Sequence, residues 1–243
     1  MRDACGRPKD LRASRSMETA NPLHAFRAGP APEQGLLGAV VLHGFTGSPW
    51  DMQPVAEALA KAGVPSVVPL LRGHDAGGEG IAAARLSDWR ADVRAAVAEL
   101  REATGRPPIV VGLSMGGLLA VDVAVDGEVE VAAVASLAAP LFLERSARIV
   151  ARLSRTFGDS LGERMMLKKG DGSDISTDQD LPGADTIPFR ALDELFSLMD
   201  SVRLRVERLE CPLLILHARE DHTAPLESAT ALLQAATSAA WIR

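Results

Sequence analysis

A serine stands at position 114 inside Gly112-Leu113-Ser114-Met115-Gly116, after the apolar run Ile109-Val110-Val111 and ahead of helix-compatible apolar residues from Leu118. That order reads as strand, sharp turn and helix, with the hydroxyl at the apex. Such a bend strains the serine backbone, so the residues two before and two after it must be small, as Gly112 and Gly116 are. The chemistry on offer is nucleophilic attack. A serine hydroxyl is a poor nucleophile until a base takes its proton, and the base needs an acid to fix its tautomer and steady its charge. The oxyanion formed on attack needs N–H donors already aimed at it. Met115, first in the helix, offers one, with the helix dipole behind it.

These groups need a scaffold that brings strand ends together, and the alternation along the chain supplies one. An edge strand is expected around His24-Ala25-Phe26, then a buried strand at Gly38-Ala39-Val40-Val41-Leu42 running into His43-Gly44-Phe45-Thr46-Gly47. Ser48 and Pro49 start a helix by the N-cap and first-turn proline rules, with Met52, Val55, Leu59 and Ala62 as its stripe and Gly63 as its stop. Residues 64–71 form the next strand, followed by Leu71-Arg72-Gly73-His74 and a Gly-rich loop through Gly80. Ser87 caps a helix whose stripe is Trp89, Val93, Ala96, Val97 and Leu100. Residues 129–137 make another strand. Over 141–205 the alternation breaks: one helical pattern (Ile149, Val150, Leu153, Phe157), a polar stretch with five aspartates at 168–186, and a second helix striped by Leu192, Leu195, Phe196, Met199 and Val202. This is read as a helical lid over the sheet. The pattern resumes with Pro212-Leu213-Leu214-Ile215-Leu216-His217, a helix through Leu226, Ala229, Leu232, Leu233 and Ala236, and the opening of one more strand at 239–243. The fold class is α/β, a mostly parallel sheet with helices on both faces, whose last strand is incomplete.

A length of 243 residues suits one domain with an insertion, here 21–243 after a disordered leader at 1–20, with Met17 an alternative start. The net charge of −6 argues against nucleic acid or an anionic membrane as the main partner. Cys5 and Cys211 form no metal-ligand pair and fit a reducing compartment, so a cytoplasmic location is expected. No apolar run reaches the span of a membrane helix, and the N-terminus lacks the apolar core of a secretory signal. No metal or organic cofactor is implied.

His43-Gly44-Phe45, Gly112-Leu113-Ser114-Met115-Gly116 and Asp221-His222-Thr223-Ala224-Pro225 together resemble the alpha/beta-hydrolase superfamily over about residue 37 to the C-terminus. The likeness is to small bacterial carboxylesterases and monoacylglycerol lipases with a short helical cap. It implies a serine hydrolase that cleaves carboxylic esters through an acyl-enzyme on Ser114, with Asp221 as the acid in preference to its neighbour Glu220. The backbone N–H groups of Phe45 and Met115 would form the oxyanion hole. The substrate implied is a small ester of short-to-medium acyl chain, with Leu195, Phe196, Met199, Leu153 and Phe157 lining an acyl pocket. Thioester hydrolysis or acyl transfer would use the same parts.

The chain departs from this family at the base. The family order is serine, acid, histidine, and one helix, one strand and their loops put the histidine about 22 to 34 residues past the acid. Arg243 is 22 residues past Asp221, and no histidine follows His222. The expectation is a truncated chain, the alternative a catalytically silent hydrolase scaffold. His222 adjoins Asp221 too closely to bond it and also reach Ser114. His43 is expected to fix backbone in the oxyanion loop, His74 to be structural or substrate-facing, and His217 to be a satisfied core residue. His24 is uninformative.

Overall fold

The computed structural model describes residues 23–142, 166–168, 183–221 and 223–240. Among them are eight strands: β1 (Phe26–Ala28), β2 (Ala39–Leu42), β3 (Ser66–Val68), β4 (Ile109–Leu113), β5 (Ala133–Leu137), β6 (Met166–Lys168), β7 (Thr186–Pro188) and β8 (Leu213–Leu216). Six form one sheet in the order β1-β3-β2-β4-β5-β8, and β6 and β7 pair separately. Edge strand β1 is antiparallel to β3; the remaining neighbours are parallel. The helices are α1 (Gln53–Lys61), α2 (Gly77–Ala83), α3 (Leu86–Thr104), α4 (Met115–Asp126), α5 (Phe189–Arg205) and α6 (Glu227–Ala235).

Every residue of β2 is fully buried, as a parallel strand covered on both faces must be. Period-two alternation then splits the strand between two cores. Val40 and Leu42 join the main cluster with Trp89, Val93 and Val97 of α3, Leu118 and Leu119 of α4, and α5. Ala39 and Val41 face the other way, onto Met52 and Ala56 at the start of α1. Helices on both faces of a mostly parallel sheet are the expected alpha/beta-hydrolase arrangement.

The order of strands decides where a site can form. From β2 the chain crosses to β3 on one side and returns to β4 on the other, so the loops after β2 and β4 diverge from one point. Such a switch point leaves a crevice at the C-terminal edge of a parallel sheet. Residues 43–47 and Ser114 both stand there.

Several elements differ from the sequence reading. The Gly-rich loop contains a helix, α2. Glycine disfavours helix, but Ile81 is fully buried here, and Gly73 and Gly80 lie so close that a Cβ on either would strike the other's carbonyl. Packing overrides propensity. Ser87 lies inside the first turn of α3, which begins after Arg85, whose N–H donates to Asp88 at 2.9 Å. Residues 239–240, expected to open a strand, are not strand; Ala240 N–H instead donates to Glu210 O at 2.9 Å. Leu226 and Leu233, two of the apolar residues that mark the last helix in the sequence, are exposed.

Within the span read as a lid, Leu192, Leu195, Phe196, Met199 and Val202 are all buried in the main cluster, with α5 packed on α3 and α4. The apolar stripe of α5 is thus covered by the body of the protein. The leader at 1–20, the helical pattern of Ile149 to Phe157, His222 and 241–243 lie outside the described residues. The chain leaves the sheet layer with Phe142 N–H bonded to Ser228 Oγ at 3.0 Å, and returns with Ala184 N–H bonded to Thr46 O at 2.9 Å.

Candidate active site

Ser114 adopts φ 53° and ψ −116° between the end of β4 and the start of α4. A side chain at positive φ costs on the order of 1–3 kcal/mol, so the surroundings must enforce it. They do so by hydrogen bonds and by contact. Its N–H donates to Leu137 O at the end of β5 (2.8 Å), and its carbonyl accepts from Gly117 N–H (2.9 Å) and Leu118 N–H (3.2 Å). A Cβ on Gly112 would overlap the Gly116 backbone, and one on Gly116 would come within 2.5 Å of Leu42 O. Both glycines are steric requirements of the turn.

The 43–47 loop lies against this turn. A Cβ built on Gly44 would sit 3.5 Å from Ser114 Cβ. Gly47 N–H closes the loop onto Gly44 O at 3.2 Å, and Thr46 takes φ 59°. The Phe45 ring packs edge-on against Trp89, centroids 6.2 Å apart. Among the described residues the Phe45 N–H has no hydrogen-bond partner. Met115, as first residue of α4, has no partner within the helix for its own N–H. Two donors thus remain unspent beside the serine.

His43 is fully buried between Gly44 O, 3.0 Å from Nδ1, and Leu71 N–H, which donates to Nε2 at 3.1 Å. It fixes backbone in the loop, as expected. Burial, and then the neighbouring His74, push its pKa down to about 3. His74 meets His43 edge to face, with centroids 4.7 Å apart, and its Nδ1 lies 3.0 Å from Leu71 O. Burial lowers its pKa too, and its Nε2 is buried with no partner. The turn holding both rings is tied to α3: Trp89 Nε1–H donates to Arg72 O (3.1 Å) and Arg72 N–H to Asp92 (2.8 Å).

Asp221 lies beyond the end of β8. Leu113, Leu137 and Leu216 are in register across β4, β5 and β8, so Ser114 and the Asp221 loop leave the same sheet edge, with strand ends about 10 Å apart. Asp221 Oδ1 accepts from Thr223 N–H (2.9 Å) and Ala224 N–H (2.7 Å). His217, its side chain almost entirely buried, has Nε2 2.7 Å from Ala224 O and 3.8 Å from Asp221 Oδ2. Its Nδ1 is buried without a partner, so this histidine is only half satisfied. The structure brings Ser114, Phe45 and Met115 together and sets Asp221 on the same edge. It places no described histidine in hydrogen-bond contact with Ser114.

A buried polar cluster behind the elbow was not foreseen. Asp122, fully buried on α4, accepts from Arg90 Nε (2.7 Å), Ser201 Oγ (2.7 Å) and Arg205 (2.5 Å). Its bonds hold the Arg90 guanidinium above its ordinary pKa. Arg94 pairs with Asp126 one turn on (2.5 Å). The signal was present as matched four-residue spacings, Arg90/Arg94 and Asp122/Asp126, on consecutive helices. Ser201 Oγ also receives Arg90 and Arg205 donors, at 2.9 and 2.5 Å. An oxygen so engaged is a structural partner, and this cluster is a clamp between α3, α4 and α5. Among the described residues no group of three or more His, Cys, Asp or Glu is placed to hold a metal ion.

Comparison with known proteins agrees with this geometry. The family described as "Serine aminopeptidase, S33" matches residues 38–241. A thermostable monoacylglycerol lipase of Bacillus sp. (strain H-257) is 31% identical over 209 residues, 85% of this chain and 79% of the relative. A carboxylesterase of Bacillus subtilis (strain 168) is 24% identical over 191 residues, 78% and 74% of the two chains. Among solved structures, one from the metagenome-derived lipolytic enzymes LipS and LipT superposes with a TM-score of 0.78 at 28% identity, covering 91% of this chain and 86% of that one. A Paleococcus ferrophilus monoacylglycerol lipase, with a TM-score of 0.73 at 19% identity over 90% and 87%, supports the fold alone.

Proposed function

The chain belongs to the serine aminopeptidase S33 family of alpha/beta-hydrolases, on its esterase–lipase side, and from that premise we propose that Ser114 is the nucleophile of a carboxylic ester hydrolase. Ser114 Oγ attacks the acyl carbon, and the carbonyl electron pair moves to oxygen, where the N–H groups of Phe45 and Met115 receive the charge. This chemistry calls for a histidine base to take the serine proton, pass it to the departing alcohol and then activate the water that clears the acyl-enzyme. Asp221 would hold such a base through Oδ2, since Oδ1 is already committed to Thr223 and Ala224.

The observation that carries this reading is the serine held at φ 53° within reach of two unspent amides. Donors fixed before the charge forms need no reorganisation, and loss of one typically costs about 10²–10³ in rate. Monoacylglycerol lipase and carboxylesterase relatives favour small esters with an aliphatic acyl chain as substrates.

None of the described histidines fits the base. His43 has both nitrogens engaged, His74 is buried behind the oxyanion loop, and His217 spends Nε2 on Ala224 O. This favours, as a second reading, a hydrolase scaffold of low activity. A fluorophosphonate probe with mass-spectrometric mapping tests the nucleophile: the adduct is expected on Ser114 and absent from Ser114→Ala, and an adduct that persists in that variant removes the assignment. Hydrolysis of a p-nitrophenyl ester separates the two readings. The 243-residue chain is expected to turn over feebly or not at all. Turnover at the level of an intact esterase that is abolished by His222→Ala would make His222 the base.

A further inference from the structure

We infer that His43 is a positioning residue that sets the direction of the Phe45 N–H; the inference rests on the reading of that amide as an oxyanion donor. Gly44 C=O and Phe45 N–H belong to one peptide unit. That unit is planar and trans, so its two polar bonds point in opposite directions. Whatever grips the oxygen therefore aims the amide.

Gly44 O is gripped twice, by His43 Nδ1 at 3.0 Å and by Gly47 N–H at 3.2 Å. The backbone itself fixes the tautomer. Leu71 N–H can only donate, so the Nε2 it meets at 3.1 Å carries no proton, and the proton of the neutral ring is on Nδ1. The imidazole thus relays the position of the turn after β3 into the orientation of the Gly44–Phe45 peptide. Leu71 serves both rings: its N–H goes to His43 and its carbonyl to His74, whose ring closes the far side of His43. Full burial keeps the His43 ring neutral near and above neutral pH. The arrangement therefore stays intact wherever an ester hydrolase would work.

Two variants separate positioning from bulk. His43→Leu keeps a side chain of similar volume but neither polar contact. His43→Asn places an amide N–H near the Nδ1 position and keeps the donor to Gly44 O. Crystal structures are expected to show the Gly44–Phe45 peptide turned away in His43→Leu and retained in His43→Asn. Fluorophosphonate labelling of Ser114 should slow about 100-fold in His43→Leu and recover to within about tenfold of the parent in His43→Asn, the scale of one lost oxyanion donor. A peptide left in place by His43→Leu, or equal labelling rates in all three proteins, overturns the inference. Should His43→Leu fail to fold, long-range ¹H–¹⁵N spectra of the unaltered chain decide together with His43→Asn. Protonated Nδ1 with bare Nε2 is expected, and a proton on Nε2 or a turned peptide in His43→Asn is fatal. If the peptide turns but no protein labels at Ser114, His43 keeps its role and what is lost is only the reading that Ser114 is reactive in this chain.

Discussion

On the β2–β4 side of the crevice, the backbone that carries the site is held from several directions by buried partners. Ser114 is fixed by β5 and by its own helix, Gly44 O by an imidazole and an amide, and His43 by the turn after β3. Behind it, α4 is clamped by Arg90 and Arg205 on Asp122. On the β8 side, Asp221 accepts from two amides of its own turn, with His217 Nε2 3.8 Å from its other oxygen. In the proposed mechanism, attack and charge stabilisation thus draw on firmly held backbone, and proton transfer on a loop whose shape is set locally. In this chain the first half of the mechanism is assembled more firmly than the second.

Perturbing each side should expose that difference. The largest effect expected is from Asp122→Ala, which strands two guanidinium groups beside Ser201 and should cost about 3–5 kcal/mol in urea denaturation. A cost below about 1 kcal/mol would mean that the clamp is not what holds α4. Gly112→Ala, which drives a methyl into the Gly116 backbone, should cost about 3 kcal/mol and slow Ser114 labelling at the same time. Unchanged labelling would show that the bend tolerates what its geometry forbids.

Acid should act on the rigid side. His43, with its folded pKa at about 3 against 6.5 unfolded, gains a proton only on unfolding in that interval. Its contribution is complete above about pH 6.5 and is lost at about 1.4 kcal/mol per unit as pH falls toward 3. His74, also lowered, adds in the same direction. The melting temperature should therefore drop steeply from pH 6.5 to 4, and His43→Asn should flatten that slope. A slope unaltered by the substitution would place the acid sensitivity elsewhere. Smallest is Asp221→Ala: its carboxylate caps two amides of its own turn and bridges no other element, so stability should change by about 1 kcal/mol while labelling of Ser114 falls. A larger loss of stability would make the β8 side as structural as its opposite.

The same contrast explains what the amino-acid sequence disclosed. Gly112, Ser114 and Gly116 are legible because the constraint is steric and spans five residues. The runs at 39–42 and 109–113 are legible because a parallel strand covered twice has few polar positions, and 213–216 is equally apolar although Leu216 is exposed. The α2 helix was hidden because three glycines argue against it locally, and only the burial of Ile81 and the contact between Gly73 and Gly80 argue for it. The α5 stripe is legible as a covered apolar face, since periodicity reports that a face is covered and not by what. The bridge through His43 joins residues 28 positions apart and left no local trace.

The stretch between Phe142 and Gly183 is stitched to the body at both ends, by Phe142 N–H to Ser228 Oγ and by Ala184 N–H to Thr46 O. One stitch lands on the helix that follows the acid's turn, the other on the loop that carries Phe45. The two bonds therefore serve opposite banks of the crevice, and loosening either one would be felt on a single bank.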